Sequence, residues 1–179
     1  MVILATGGVG YYHEEGRLAQ IIRKGDVLEI APGVKHWHGT APDSWFSQMV
    51  IYDSHYTGGG DSEPVTDEQY ANLDAGEYTG HTLTASNPVM FQRAASASSS
   101  GHFSGPVYIS DLLDGENAAD APALHYVVFE PGVINDWHTH EGGQILIATD
   151  GVGYHQIEGQ PVQVSYPGDV AYCPPGAKH

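Results

Sequence analysis

The stretch Gly132-Val133-Ile134-Asn135-Asp136-Trp137-His138-Thr139-His140-Glu141-Gly142-Gly143-Gln144 decides how this chain is read. In an extended strand, side chains two apart share a face, so His138 and His140 project together. Gln144 stands at even spacing from both. The glycines before it, Gly142 and Gly143, allow a bend or bulge that re-aims it. A second piece completes the set: Gly168-Asp169, then Pro174-Pro175-Gly176-Ala177-Lys178-His179, where the Pro-Pro-Gly turn delivers His179. Neutral imidazoles with an amide oxygen suit a borderline divalent cation such as Mn, Fe, Ni or Zn. A His-x-His taken alone is ordinarily surface polar sequence. Read with Gln144 and the second piece, it makes one candidate metal site.

Together the two pieces resemble the two motifs of the cupin superfamily. The first is Gly132, five residues, His138-x-His140, three residues, a position that is acidic in the family and Gln144 here, six residues, and Gly151. The second is Gly168, five residues, Pro174-x-Gly176, two residues and His179, matched without a gap. More narrowly, His138-x-His140-x-x-x-Gln144 with Pro32-Gly33-x-Lys35-His36-Trp37-His38-Gly39 is similar to the small manganese cupins that include (R)-selective hydroxynitrile lyases. Relatives of those occur fused to carboxymuconolactone-decarboxylase-like domains.

The resemblance implies an all-β fold, the cupin double-stranded β-helix or jelly-roll barrel. It implies a metal held by His138, His140, Gln144 and His179, with Mn expected and Fe, Ni or Zn as alternatives. It also implies a small-molecule substrate and lyase-like cleavage of a cyanohydrin, with the metal as Lewis acid and a pocket base moving the proton. One departure matters. The resembling lyases carry a pocket histidine on the strand after the second motif, where this chain has Gln48. A glutamine amide hydrogen-bonds but does not exchange a proton near neutral pH. His125 is therefore the candidate general base, at the start of the strand before Gly132, with Val127 and Phe129 on its face. A strand-end polar residue is its equal alternative. His125 and Gln48 are the candidate catalytic positions. A non-catalytic binding or accessory module, and a metal-dependent dioxygenase or isomerase, stay open beside the lyase, because fold does not fix function.

The chain also contains an internal repeat. Residues 1 to 36 align without gaps on 144 to 179, and sixteen of the 36 positions are identical. Gly8, Gly10, Gly16, Gly25, Asp26, Pro32, Gly33, Lys35 and His36 fall on Gly151, Gly153, Gly159, Gly168, Asp169, Pro175, Gly176, Lys178 and His179. Met1 stands where Gln144 stands, and His36 takes the second-motif ligand position without a His-x-His of its own. His36 ligates only where His138 and His140 reach it, in cis or from another chain. The expected organisation is the C-terminal half of a first cupin unit over 1–74, a linker over 75–101 and the N-terminal part of a second unit over 102–179. Three accounts of these incomplete units compete: a tandem cupin cut inside both units, completion by permutation, or strand exchange between chains, a low-cost route to a dimer. The connector is marked by Ala94-Ala95-Ser96-Ala97-Ser98-Ser99-Ser100-Gly101.

Glycine and proline at short intervals, with β-branched and aromatic runs between, predict many short strands. Expected are Val2 to Thr6, Gly8 to His13, Ala19 to Arg23, Val27 to Ile30, Trp45 to Tyr52, Val107 to Ser110, His125 to Glu130, Trp137 to His140, Gln144 to Thr149, Gly151 to Gln156, Pro161 to Tyr166 and Val170 to Cys173. One short helix is expected at about Asp67 to Leu73, capped by Thr66 or Asp67. Six Lys+Arg stand against 22 Asp+Glu, a formal charge of -16. Such a surface repels phosphate backbones and anionic lipids, so neither nucleic acid nor membrane is an expected partner. The first residues lack the charged region and cleavage pattern of a signal peptide. No apolar run approaches the roughly 20 residues that span a bilayer. The single Cys, Cys173, excludes an intrachain disulfide and points to a reducing cytoplasm. Cys173 reads as a small buried hydrophobe, Trp37 as a core aromatic and His38 as support for a ligating ring. Thr57-Gly58-Gly59-Gly60-Asp61 reads as a loop, Glu14-Glu15 and Asp114 to Asp120 as solvated charge, and His13, His55, His81, His102 and His155 as surface or packing residues.

Overall fold

The computed structural model describes residues 1–52, 62–78, 90–113 and 122–179. The Thr57 to Asp61 loop, His55, His81 and the Asp114 to Asp120 stretch lie outside the described residues. The chain divides into two compact units, the first made of Met1–Gln92 and Ser110–Tyr126, the second of Arg93–Ile109 and Val127–His179. Eleven strands and one short helix are formed among the described residues, so the molecule is mostly β, as the spacing of its turn residues predicts. No described helix is long and apolar enough to cross a membrane.

The first unit is built on one long strand, β1 (Val2–Glu14). The sequence reads as two strands broken at Gly7-Gly8, but the chain passes through as one. The register slips between Ala5 and Gly7 against β5 (Phe46–Ile51), and Gly8 adopts φ 71°. A Cβ on Gly8 would stand 1.8 Å from the Trp45 carbonyl oxygen, so only glycine allows this bulge. Along its first half β1 pairs with β3 (Val27–Glu29) on one edge and β5 on the other. Along its second half it pairs with β2 (Gln20–Arg23) and β4 (His36–Thr40). Ile3, Tyr12, Ile22 and Ile30 form the core beneath it, with Met1, Leu28, Val34, Phe46 and Val50 packed around them.

Helix α1 (Asp67–Ala71) follows, and Thr66 closes a capping box with Gln69. Trp37, expected in the core, is only half-buried and lies between His13 and Tyr70, with ring centroids 5.5 and 6.1 Å away. Strands β6 (Val107–Leu113) and β7 (Leu124–Phe129) pair with each other.

In the second unit β8 (Gln144–Ile147) pairs with β11 (Val170–Cys173), and β9 (Gly153–His155) with β10 (Gln163–Ser165). The internal repeat is reproduced register by register. Leu4↔Val27 recurs as Ile147↔Val170, and Gly10↔Ile22 as Gly153↔Ser165. Ala5 N–H bonds to Asp26 O at 2.9 Å, and Ala148 N–H to Asp169 O at 3.0 Å. The Lys35–Glu15 pair recurs as Lys178–Glu158. One expected strand is not formed: Trp137 to His140 is irregular. Among the described residues its backbone bonds are a reciprocal His138–His179 pair, one from Gly176 N–H to His140 O and a turn bond from Gly143 N–H to His140 O, too few to make a ladder.

Candidate metal centre

Each half of the centre is positioned by local backbone chemistry. His138 and His179 exchange both backbone hydrogen bonds, each 3.0 Å, which locks the two motifs side by side. The turn after His140 is closed by Gly143 N–H to His140 O at 3.2 Å, with Gly143 at φ 78°. A Cβ there would meet the Cys173 carbonyl oxygen at 2.7 Å and Pro175 N at 3.1 Å, so the His-x-His turn and the Pro-Pro-Gly turn approach as closely as they do only because this residue is glycine. Gln144, at the start of β8, lies opposite Cys173 of β11.

The side chains converge as the two-residue spacing predicts, although the segment is not a strand. One ring nitrogen from each of His138, His140 and His179 lies within 4.8 Å of the others, and all three residues are partly buried. The ring centroids of His138 and His140 are 4.9 Å apart, edge to face, and those of His138 and His179 are 4.4 Å apart. Gln144 Oε1 stands 3.0 Å from His179 Nε2.

The protons can be placed by elimination. His138 Nδ1 lies 2.8 Å from the Asp136 carbonyl, which can only accept, so Nδ1 carries the hydrogen and Nε2 is left bare. Asn135 Nδ2 also approaches that Nδ1, at 3.3 Å, but the shorter contact decides. His179 differs: its Nδ1 faces the Ala177 carbonyl at 3.3 Å, but its Nε2 faces the Gln144 amide oxygen at the shorter 3.0 Å, so by the same rule Nε2 carries the hydrogen. Burial lowers the pKa of His179, as do the imidazoles of His138, His140 and His155, while the Ala177 carbonyl acts in the opposite sense. Its ring is thereby kept neutral.

One feature of this donor set is unsatisfied by protein alone: His140 Nε2 is buried without a hydrogen-bond partner. His179 Nε2 is answered by Gln144 Oε1, and the Ala177 carbonyl stands within reach of Nδ1 to hold the proton there instead when Nε2 is needed as a ligand. A cation answers the buried His140 nitrogen, and three imidazoles with an amide oxygen fit a borderline divalent metal. The Asp136 carbonyl at His138 Nδ1 and the Ala177 carbonyl near His179 Nδ1 supply the outer support that ligating imidazoles require.

Sequence reasoning missed one neighbour. His155, read as a surface or packing residue, lies with its ring 5.8 Å from His179, and its Nε2 is 3.1 Å from the Cys173 sulfur. Cys173 is buried as expected, and burial raises its pKa. The repeat held the signal: His155 falls on Tyr12, whose inward-facing ring lies 5.9 Å from His36.

The remaining candidates lie elsewhere. His36 belongs to the first unit, where its Nδ1 meets the Val34 carbonyl at 2.8 Å and its ring stacks on His38 at 6.0 Å. His38 Nδ1 accepts from Gln48 Nε2 at 2.7 Å, and Gln48 Oε1 is buried without a partner. Burial, and then the neighbouring His36, lower the His38 pKa. His125, also in the first unit, is exposed on β7 and pairs with Asp111 Oδ1 at 2.7 Å. The face that His125, Val127 and Phe129 share is the exposed one, and Tyr126 is the strand's buried residue.

Comparison with known proteins adds the family context. Residues 125–179 match the family model described as the cupin domain. Over 77 residues the chain is 44% identical to an (R)-mandelonitrile lyase of Granulicella tundricola, covering 43% of this chain and 58% of that protein. It therefore spans little more than half the length of this curated relative. Among solved structures it is similar to a cupin-like protein from Thermotoga maritima, with 41% identity, 50% of this chain and 67% of the other covered, and a TM-score of 0.47.

Proposed function

From the premise that residues 125–179 belong to the cupin superfamily, we propose that the second unit holds one divalent metal, with Mn first among the candidates, and acts on a small molecule in the manner of a cyanohydrin lyase. The observation that carries the reading is the convergence of the His138, His140 and His179 nitrogens within 4.8 Å, with His140 Nε2 buried and unpaired. Gln144, through Oε1, is the fourth ligand. A cation held by these four protein groups would supply Lewis acidity toward an alkoxide or a nitrile.

The chain's own residues do the rest. His138 presents a bare Nε2 because the Asp136 carbonyl holds its Nδ1 proton, the Ala177 carbonyl lies within reach to do the same for His179, and Gly143 lets the two motifs close on one another. Cleaving a cyanohydrin breaks the bond between carbon and the cyano group, moves the hydroxyl proton to cyanide, and releases a carbonyl compound and hydrogen cyanide. That proton needs an exchanging group. Similarity to an (R)-mandelonitrile lyase over part of the chain supports the lyase reading.

One observation favours a second reading, a metal-binding cupin module without lyase turnover. At Gln48, where the resembling lyases carry histidine, the side chain is an amide bonded to His38, and His125 is exposed and engaged by Asp111.

Metal analysis of protein purified after growth with Mn and Fe tests the shared premise. We expect close to one equivalent in the wild type and less than about a tenth of that in His140→Ala, since loss of one imidazole from so small a ligand set removes most of the affinity. A metal-free wild type refutes it. Mandelonitrile cleavage then separates the readings: benzaldehyde release above the metal-stripped control supports the lyase, and no release supports the module.

A further inference from the structure

We infer that His155 is the residue of the second unit that contacts the substrate: its Nδ1 meets the hydroxyl group of a small hydroxylated molecule held at the metal centre, while Cys173 fixes the ring through Nε2. The inference rests on the metal reading above and names a substrate contact that the three histidines do not supply. One ring nitrogen from each of His138, His140 and His179 lies within 4.8 Å of the others. His155 stands beside that group, its ring centroid 5.8 Å from that of His179. It is therefore placed to touch what a cation holds, and not to hold the cation.

The hydrogen bonding of His155 is half complete. Its Nε2 lies 3.1 Å from the Cys173 sulfur, whereas its Nδ1 is buried and has no partner among the described residues. A buried polar atom ordinarily finds a partner, so one left bare beside a binding centre marks the place of a bound group. The class of that group follows from the thiol. Where Cys173 S–H donates to Nε2, Nδ1 carries the hydrogen and needs an acceptor; where Nε2–H donates to sulfur, Nδ1 is bare and needs a donor. A hydroxyl both donates and accepts, so it answers either arrangement. A nitrile or a carboxylate only accepts and answers one.

The internal repeat shows why the protein leaves this nitrogen open. His155 falls on Tyr12, which also lies against the second-motif histidine of its unit, with ring centroids 5.9 Å apart. The Tyr12 hydroxyl donates to Glu14 Oε1 at 2.9 Å, two residues along the same strand. The counterpart of Glu14 is Ile157, whose side chain offers no acceptor. The first unit thus satisfies this position from within, and the second does not.

Calorimetric titration of the Mn-loaded full chain with benzyl alcohol, and with toluene as the analogue lacking the hydroxyl, tests this. Benzyl alcohol is expected to bind saturably and more tightly than toluene. In His155→Phe that preference should fall at least about fivefold, with metal content equal to the wild type. His155→Gln, whose amide both donates and accepts, should keep most of it, which a residue needed only for packing would not do. Because His155→Phe could disturb folding, Cys173→Ala, which frees the other ring nitrogen, serves as a second variant with circular dichroism matched to the wild type. It is expected to lower the preference in the same direction. A preference untouched by both variants overturns the inference alone, as does the absence of saturable benzyl alcohol binding to metal-loaded wild type. Loss of metal from His155→Phe overturns it too, since His155 would then be a ligand. A wild type that takes up no metal removes the metal reading and this inference together, and metal analysis of each preparation tells these outcomes apart.

Discussion

At the scale of single residues, the candidate centre depends on a glycine as much as on its histidines. Gly143 holds φ 78°, and a methyl group there would press on the Cys173 carbonyl at 2.7 Å. Gly143→Ala is expected to lower stability by about 1–3 kcal/mol, the cost of a strained backbone position, and to weaken metal binding by moving Gln144 away from His179. Urea unfolding and metal titration of the same variant check both. A second residue-scale prediction concerns Tyr78, whose hydroxyl donates to Asp26 Oδ1 at 3.0 Å. Burial, and then this bond, push its pKa from 10.0 up to about 12. The folded state favours the neutral phenol, so its contribution is whole below pH 10 and is lost as pH rises toward 12. Urea midpoints measured across that window should fall more steeply for the wild type than for Tyr78→Phe. The convergence of the three histidines was legible in sequence because each half is a short local motif: i, i+2 spacing sets His138 and His140, and the Pro174-Pro175-Gly176 turn sets His179. The His155–Cys173 contact was not, because it joins β9 to β11 across strand pairings that no short motif encodes.

At the scale of elements, the same sequence pattern has two fates. Ile3 and Leu146 occupy one repeat position, yet Ile3 lies beneath strands on both edges of β1 while, among the described residues, Leu146 sits on a strand paired along one edge. Ile3→Ala should cost about 2–5 kcal/mol as a large-to-small change in a closed core. Leu146→Ala should cost about 1 kcal/mol or less, because much of that side chain already meets solvent. Paired urea denaturation of the two variants tests this. Most strands were readable from alternation between glycine and proline turns, and α1 was announced by Thr66 or Asp67 as its cap, of which Thr66 takes the position. The errors have physical causes. Gly7-Gly8 looked like a break, but a bulge with Gly8 at positive φ carries β1 through. Trp137 to His140 looked like a strand from its spacing, but only His138 finds a reciprocal partner. The strand β4 was hidden because His36-Trp37-His38-Gly39-Thr40 reads as a motif tail, and only its pairing with β1 makes it regular.

At the scale of the whole molecule, the repeat dictates two units with different chemistry. The first carries a second-motif histidine, His36, supported by His38 and Gln48, while the second carries the triad. A ligand that binds one folded unit stabilises that unit by mass action and leaves an independent one unchanged, and about 2.7 kcal/mol is gained when free metal is a hundred times the dissociation constant. The tryptophans report on this separately. Trp137 belongs to the second unit, while Trp37 and Trp45 belong to the first. Added Mn should therefore move the wild-type fluorescence transition in urea to higher denaturant only in the component that Trp137→Phe removes. In the Trp137→Phe protein, where the remaining signal comes from the first unit, metal should leave the midpoint where it was. In His140→Ala, neither component should respond. A shift of the first-unit signal by metal would mean instead that the two units melt as one cooperative body, and that the cation's binding energy is shared across the chain.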